Sequence, residues 1–412
     1  MIELRLERIV HGGLSLARLP EGRLVLVRGG IPGELVRGRP EERSGVLRAE
    51  AEEIIEPSPD RLPVLRHPGL DYGHIRYSRQ LELKREVIVD ALNRALPSGS
   101  QPVAISEVCP SPSLWRYRSA VQPVVTDEGL GYRQPGSNAA VVLDDDPVAN
   151  RSVAEVWREL LRRPPPKGVR EIAIRGNDRG EALLALIATS PQRTLLPYAH
   201  ELVEAGVIGV AYARYDARGR FRGGSERLAG GKRIRQVYGD LDVSVSVTSF
   251  AQPNPDAAAA LYRDAAVAAG AGKFAFELFA GSGLIAMHLA PSFGRVEAVE
   301  IDRGSVSRGS ADARRLGIQN IAFHAGDALK SPIPAGAELI AVDPPRSGLG
   351  RETRELIDSS SADRLLYVSC DAATWSRDTA YFLGTGWHLR LARPYDFYPH
   401  THHVEIMSLL AR

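Results

Sequence analysis

Along the first 56 residues the apolar positions come in short runs broken by glycine. Ile2 to Ile9 alternates loosely, and His11-Gly12-Gly13 makes a turn. Leu24-Val25-Leu26-Val27 reads as a strand, and Gly29-Gly30-Ile31-Pro32-Gly33 turns again before Glu34-Leu35-Val36. A last strand is expected from Val46 through Ile55. Five strands with glycine turns in so short a stretch predict a small β-barrel. Pro57-Ser58-Pro59 reads as a linker. The period then changes: Leu81, Val87, Ile88 and Leu92 share one face of a helix expected over residues 78–96. Residues 103–250 look mostly strand-like, with one helix around Val153–Arg163 that Pro164-Pro165-Pro166 ends. The Gly- and Arg-rich segment 214–235 is expected to be a surface loop or hairpin.

After Pro255 the character changes again. An alanine-rich helix is expected over residues 256–270, and strands and helices then alternate. The strand candidates are residues 273–279, 295–300, 320–324, 338–342 and 364–369. Alternation at this spacing implies a parallel sheet covered by helices on both faces. Two further strands, 388–393 and 403–410, are expected to pair antiparallel. The chain thus divides into a barrel at 1–57, a central α+β region at 58–250 and an α/β region at 251–412.

Composition narrows the classes. The 412 residues are 44% hydrophobic and 25% charged, as in globular proteins, and no run is long and apolar enough for a membrane span. The first residues, Met1-Ile2-Glu3-Leu4-Arg5-Leu6, lack the apolar core of a secretory signal, so a cytoplasmic location is expected. Two cysteines, Cys109 and Cys370, exclude a disulfide framework and a four-cysteine metal or iron–sulfur site within one chain. The net charge of +2 is unevenly spread: residues 151–235 hold 17 Arg and Lys against 9 Asp and Glu, a surplus of +8. Arginine dominates that surplus, and its planar fork suits phosphate; a solvated basic surface would have the same composition.

A ligand site is legible at the strand ends. The first strand of the α/β region runs into Phe279-Ala280-Gly281-Ser282-Gly283, where glycines let a ligand approach the backbone. Glu300 ends the second strand and is placed to accept both ribose hydroxyls of a nucleoside. Asp327 follows the third, in reach of an adenine amino group. A glycine pair alone is what any tight turn needs. Three features on successive strand ends point to an adenosine ligand, without deciding which one.

The fourth and fifth strands end in Val342-Asp343-Pro344-Pro345-Arg346 and Val368-Ser369-Cys370-Asp371. Carbon 5 of a pyrimidine is a poor nucleophile. Thiolate attack on carbon 6 makes carbon 5 enolate-like, able to take a methyl group from a sulfonium, after which a base must remove the carbon 5 proton. Cys370, Glu405 and the site at Gly281–Asp327 supply those groups. A cysteine at a strand end is also what core packing would place there, the reading given to Cys109. Glu405 on a terminal strand would ordinarily be solvated. His400, His402 and His403 have poor spacing for a metal, and none is expected.

These residues resemble a known family, the RNA 5-methyluridine (uracil-5) methyltransferases that act on tRNA and 23S rRNA, over nearly the whole chain. Val368-Ser369-Cys370 is similar to the family's nucleophile motif, and Pro399-His400-Thr401-His402-His403-Val404-Glu405 to its general-base motif, with Glu405 as the base. Asp343-Pro344-Pro345-Arg346 matches its fourth methyltransferase motif, and Ser249-Phe250-Ala251-Gln252-Pro253-Asn254 resembles the segment whose glutamine touches the methyl donor. The resemblance implies a class I, Rossmann-like methyltransferase domain using S-adenosyl-L-methionine. Gln252, Phe279, Gly281, Gly283, Glu300, Asp327 and Asp343 would hold that cofactor, and Cys370 and Glu405 would be catalytic. Residues 1–57 resemble a TRAM domain, an OB-like RNA-binding barrel, and Trp115-Arg116-Tyr117-Arg118 resembles a motif opening the family's central RNA-binding region.

Two departures stand out. Many members hold an iron–sulfur cluster on four cysteines, where this chain has Arg61, His67, Leu70 and Asp146, so no cluster is expected. After the nucleophile the family usually has Asn-Pro, where this chain has Asp371-Ala372. The expected substrate is RNA, 23S rRNA ahead of tRNA because of the barrel, with no membrane partner and a monomer as the expected state. Three alternatives stay open: a tRNA uracil-5 enzyme, an RNA cytosine-5 methyltransferase, and a non-catalytic RNA-binding assembly factor. The cytosine-5 class usually carries a second cysteine beside the proline after the fourth strand, absent from Pro344-Pro345-Arg346.

Overall fold

The computed structural model describes residues 1–97, 99, 103–217, 221 and 224–412. The chain opens with seven short strands: β1 (Ile2–Val10), β2 (Leu14–Arg18), β3 (Leu24–Arg28), β4 (Leu35–Gly38), β5 (Glu41–Arg43), β6 (Val46–Glu50) and β7 (Glu53–Glu56). Their order in the sheet is β5-β6-β3-β2-β1-β4-β7. In a flat sheet β6 and β7 would lie five strand spacings apart, about 24 Å. Yet only Ala51 and Glu52 join them, and two residues span about 7 Å. The sheet must therefore roll up, and the linker closes it: Ala51 N–H donates to Arg28 O (2.9 Å) and Glu52 N–H to Arg37 O (3.0 Å). Leu4, Leu6, Val25, Val27 and Val36 fill the interior. The expected count of five strands is corrected to seven. The single strand expected over 46–55 breaks at Ala51-Glu52, and β5 is three charged, exposed residues with no apolar signal to reveal it.

Helix α1 (Tyr77–Ala95) comes next, and then a mixed central sheet. Its strands are β8 (Ala120–Val121), β9 (Val124–Thr126), β10 (Gly129–Arg133), β11 (Ala140–Val142), β12 (Val169–Gly176), β13 (Ala182–Ala188), β14 (Gly209–Arg214) and β15 (Glu226–Gly230), in the order β11-β10-β9-β12-β13-β14-β15, with β8 also on β12. Helix α2 (Arg151–Arg162) starts where the Asn150 side chain accepts a hydrogen bond from Val153 N–H, and it buries Trp157 and Leu160. A second helix, α3 (Leu196–Glu204), corrects the expectation of one: nine residues with Pro197 in the first turn are too few to show a helical period. Within 214–235 the described residues include β15 and the start of a further strand at Ile234, so that stretch is partly strand; residues 218–220, 222 and 223 of its Gly/Arg tract lie outside the described residues. The hairpin β16 (Ile234–Tyr238) and β17 (Leu241–Val245) follows.

The last part is doubly wound. It runs α4 (Pro255–Ala269), β18 (Gly272–Leu278), α5 (Leu284–Leu289), β19 (Phe293–Glu300), α6 (Arg303–Arg315), β20 (Ile321–Ala325), β21 (Leu339–Val342), α7 (Gly350–Asp358), β22 (Arg364–Ser369), α8 (Ala372–Gly384), β23 (His388–Tyr395) and β24 (Glu405–Ala411). The strand order is β20-β19-β18-β21-β22-β24-β23, the first five parallel. The final two do pair antiparallel, and β24 also inserts beside β22, antiparallel to it. Apolar clusters cover both faces of this sheet, and α1 joins one of them through Ile88 and Leu92, beside Trp375 and Phe382 of α8. The order reverses between β18 and β21, the switch point at which open α/β sheets bind ligands.

Candidate active site

Above that switch point lies a pocket of 720 Å³, within the range of small-molecule sites. One side is the turn from β18 to α5. Phe279 holds a left-handed φ of 60°, unusual for a bulky residue, and Gly281 (56°) and Gly283 (75°) continue the turn. A Cβ on Gly281 would meet nothing within 4 Å, so its backbone is open to a ligand. One on Gly283 would lie 2.4 Å from Phe323 Cε1; this glycine sits behind the pocket and lets the turn pack on β20. Glu300 ends β19 in the pocket wall, where its carboxylate accepts from Gly281 N–H (2.9 Å) and Asp302 N–H (2.8 Å), tying the two strand ends together. Asp327 faces the same space while accepting from Leu329 N–H (3.1 Å), and Gln252 closes another side. Two carboxylates beside a glycine turn and the apolar walls of Phe279, Val299 and Ile301 fit a nucleoside with hydroxyls and an amino group.

The far end of the same pocket is reactive. Asp343 after β21, Cys370 after β22 and Glu405 at the start of β24 all line it. Glu405 is 2% exposed, and among the described residues its Oε2 has no hydrogen-bond partner. Burial, with the neighbouring Asp343 carboxylate adding and Arg346 opposing, pushes its carboxyl well above the usual carboxylate range. Burial raises Asp343 to about 7. Cys370 is half-buried; burial first, then the Glu405 and Asp343 carboxylates, push its thiol up to about 12, against the pull of Arg346. Burial in this pocket thus raises the proton affinity of all three groups.

The structure thus brings together Gln252, Phe279, Gly281, Glu300, Asp327, Asp343, Cys370 and Glu405, with Gly283 behind them. Reading the sequence missed Tyr262, Tyr398 and the individual parts of Arg346 and His403, which share the lining. A tyrosine on an otherwise alanine-rich helix was the available signal for Tyr262. The three histidines do separate things: His400 stacks on Trp115 with ring centroids 3.9 Å apart, His402 Nδ1 lies 2.6 Å from Asp71, and burial holds His403 neutral by lowering it to about 3. Among the described residues no group of three or more ligand side chains could hold a metal. Cys109 packs against the core beneath Tyr395. Of the residues Arg61, His67, Leu70 and Asp146, Arg61 pairs with the buried Glu34 (2.6 Å), His67 lies 3.5 Å from Asp146, and Leu70 packs with Tyr117 and Val148.

A family model described as tRNA (uracil-5-)-methyltransferase matches residues 336–412. An uncharacterized RNA methyltransferase of Streptomyces coelicolor is 30% identical, over 99% of this chain and 92% of its own length. One from Thermotoga maritima is 27% identical, over 100% and 99%. In fold, the chain is similar to the Pyrococcus abyssi tRNA (uracil-54, C5)-methyltransferase in complex with S-adenosyl-L-homocysteine, with a TM-score of 0.81 at 20% identity over 100% of both chains.

Proposed function

The chain belongs to the RNA uracil-5 methyltransferase family and uses S-adenosyl-L-methionine, and from that premise we propose that it methylates carbon 5 of a uridine through a covalent adduct on Cys370, with Glu405 as the base. The observation that carries this reading is one pocket lined at one end by Gly281, Glu300 and Asp327 and at the other by Cys370 and Glu405. Gln252, Phe279, Gly281, Glu300, Asp327 and Asp343 would hold the cofactor, with Gly283 shaping the turn. When bound, it supplies an electrophilic methyl group on a sulfonium.

Cys370 Sγ, half-buried at the pocket wall, gives its proton to solvent and attacks carbon 6, and the carbon 5–carbon 6 π electrons move toward the carbon 4 oxygen. That density then returns through carbon 5, which takes the methyl group. Glu405 next removes the proton left on carbon 5; the double bond re-forms and the carbon 6–sulfur bond breaks, freeing the thiolate. A dry carboxylate with a raised pKa is a stronger base than a solvated one, and Glu405 has the burial that this step asks for. Glu405→Gln should then stop after methyl transfer and accumulate an RNA–protein adduct that survives denaturation. Adding Cys370→Ala should abolish that adduct. Free 5-methyluridine released at a near-normal rate by Glu405→Gln would refute the assignment.

For the RNA, we propose 23S rRNA, held by the barrel at 1–57 and the basic central region at 58–250 and presented to the catalytic region at 251–412. Arg158, Arg170, Arg193 and Arg214 are exposed on the central region, as phosphate binding would need. The fold of the Pyrococcus abyssi tRNA enzyme, alike over the whole chain, favours tRNA as the second reading. Mapping 5-methyluridine by mass spectrometry in rRNA and tRNA from a deletion strain separates the two.

A further inference from the structure

The rolled N-terminal sheet is joined firmly to the rest of the chain. Ile9 and Ile31 of the barrel share a buried cluster with Tyr72, Ile75 and Leu83, and Arg8 bonds to Asp90 of α1 at 2.7 Å. Its first turn reaches the catalytic end. Gly13, at a φ of 77°, is packed so closely that a Cβ there would lie 2.6 Å from Asp71 Oδ2 and 2.7 Å from His402 Cβ. His11 Nε2 in the same turn lies 3.3 Å from Asp371 Oδ2. Asp371 follows Cys370 directly, and its other carboxylate oxygen accepts from Thr374 N–H (2.8 Å), capping α8. A cleft of about 50 Å³ between the turn and the β23–β24 connection is lined by His11, Gly13, Cys370, Asp371 and His403. Cys370, with Arg346 and His403, lines both this cleft and the cofactor pocket.

We infer that His11 is a positioning residue for Cys370, acting through Asp371, so that the barrel sets the aim of the thiol as well as touching RNA. The inference rests on the reading of Cys370 as nucleophile. One oxygen of the Asp371 carboxylate is bonded by the first turn of α8, and the other lies within ion-pair distance of His11 on the barrel turn. This fixes the backbone that carries the thiol. Releasing one oxygen lets that backbone shift. A misplacement of about 1 Å in an attacking group costs about 100-fold in rate.

The test uses the full chain, with S-adenosyl-L-methionine carrying a labelled methyl group and total RNA from a deletion strain. The variants are H11A, H11Q, D371N, the H11A/D371N double variant and C370A. Asn caps a helix about as well as Asp, so D371N keeps the α8 cap and weakens only the contact to His11. H11A and D371N should each lower kcat about 10- to 100-fold. RNA KM, cofactor affinity and Tm should stay near wild type. The double variant should be no slower than either single one, because both remove one interaction. H11Q, whose amide can donate to Asp371, should recover much of the rate. Wild-type kcat in H11A, or a rise in RNA KM alone, or additive losses in the double variant, would overturn the inference while leaving the nucleophile reading intact. Methyl transfer by C370A would overturn that reading itself, and this inference with it.

Discussion

Lys84 is the most exacting test of how the reactive end is held. It lies on α1, wholly buried, with Nζ 2.6 Å from Asp396 Oδ1 and 3.2 Å from Tyr398 O. Asp396 Oδ1 also accepts from Tyr398 N–H (3.1 Å), and its own N–H donates to Cys109 O (2.9 Å). The pair staples α1 to the connection between β23 and β24, which carries Tyr398 and His403 to the pocket and leads to Glu405. Burial pushes the Lys84 ammonium down and Asp396 pulls it back, so the pair survives only because each charge has its partner. Lys84→Met fills a similar length but leaves Asp396 buried without its cation. Breaking one side of such a pair costs about 3–5 kcal/mol. For a cooperative unit of about 200 residues, 1 kcal/mol moves Tm by about 2–4 °C, so the loss should be about 6–20 °C. Thermal unfolding followed by near-ultraviolet circular dichroism reads it, with methyl transfer measured well below the transition. Lys84→Met with Asp396→Leu should regain most of the stability, since a well-packed apolar pair often matches a buried ion pair. A loss below about 1 kcal/mol in the single variant, or a double variant worse than either single one, would refute the argument.

Three other outcomes follow from the site and its surroundings. Asp343 rises from 3.8 to about 7 on folding, so the folded state binds the extra proton; stability is full below about pH 4 and falls as pH climbs toward 7. Asp343→Asn removes that loss and should gain on wild type in stability between pH 4 and 8, by at most about 4 kcal/mol and read as a rise in Tm, with cofactor binding weakened; equal pH profiles would contradict it. Gly283→Ala must hold a left-handed φ of 75° and displace Phe323, which together should cost about 2–5 kcal/mol and lower cofactor affinity in calorimetry. RNA affinity should fall steeply with salt, and deleting residues 1–56 should weaken it, both measurable by filter binding.

Much of the α/β half was legible along the chain because its signals are local. A strand running into Phe279-Ala280-Gly281-Ser282-Gly283 needs glycine where φ is positive, and the acidic Glu300 marks the next strand end wherever the sheet sits. The strand over 364–369 matched to the residue, since an apolar run bounded by helices has little else to be. Other features belong to contacts far apart in sequence. The barrel closes through Ala51-Glu52, and no hydrophobic period announces β5. Lys84 meets Asp396 across 312 residues, and each looks like an ordinary surface charge in its own segment. Glu405 looked solvent-facing by its place on a terminal strand. The insertion of β24 between β22 and β23 buries it beside Asp343, and that burial is what raises its proton affinity. Sequence alone therefore determined which groups stand at the strand ends. Only the tertiary structure decided which are dry, which are paired and which share a wall, because desolvation and long-range pairing depend on neighbours that the local pattern does not encode.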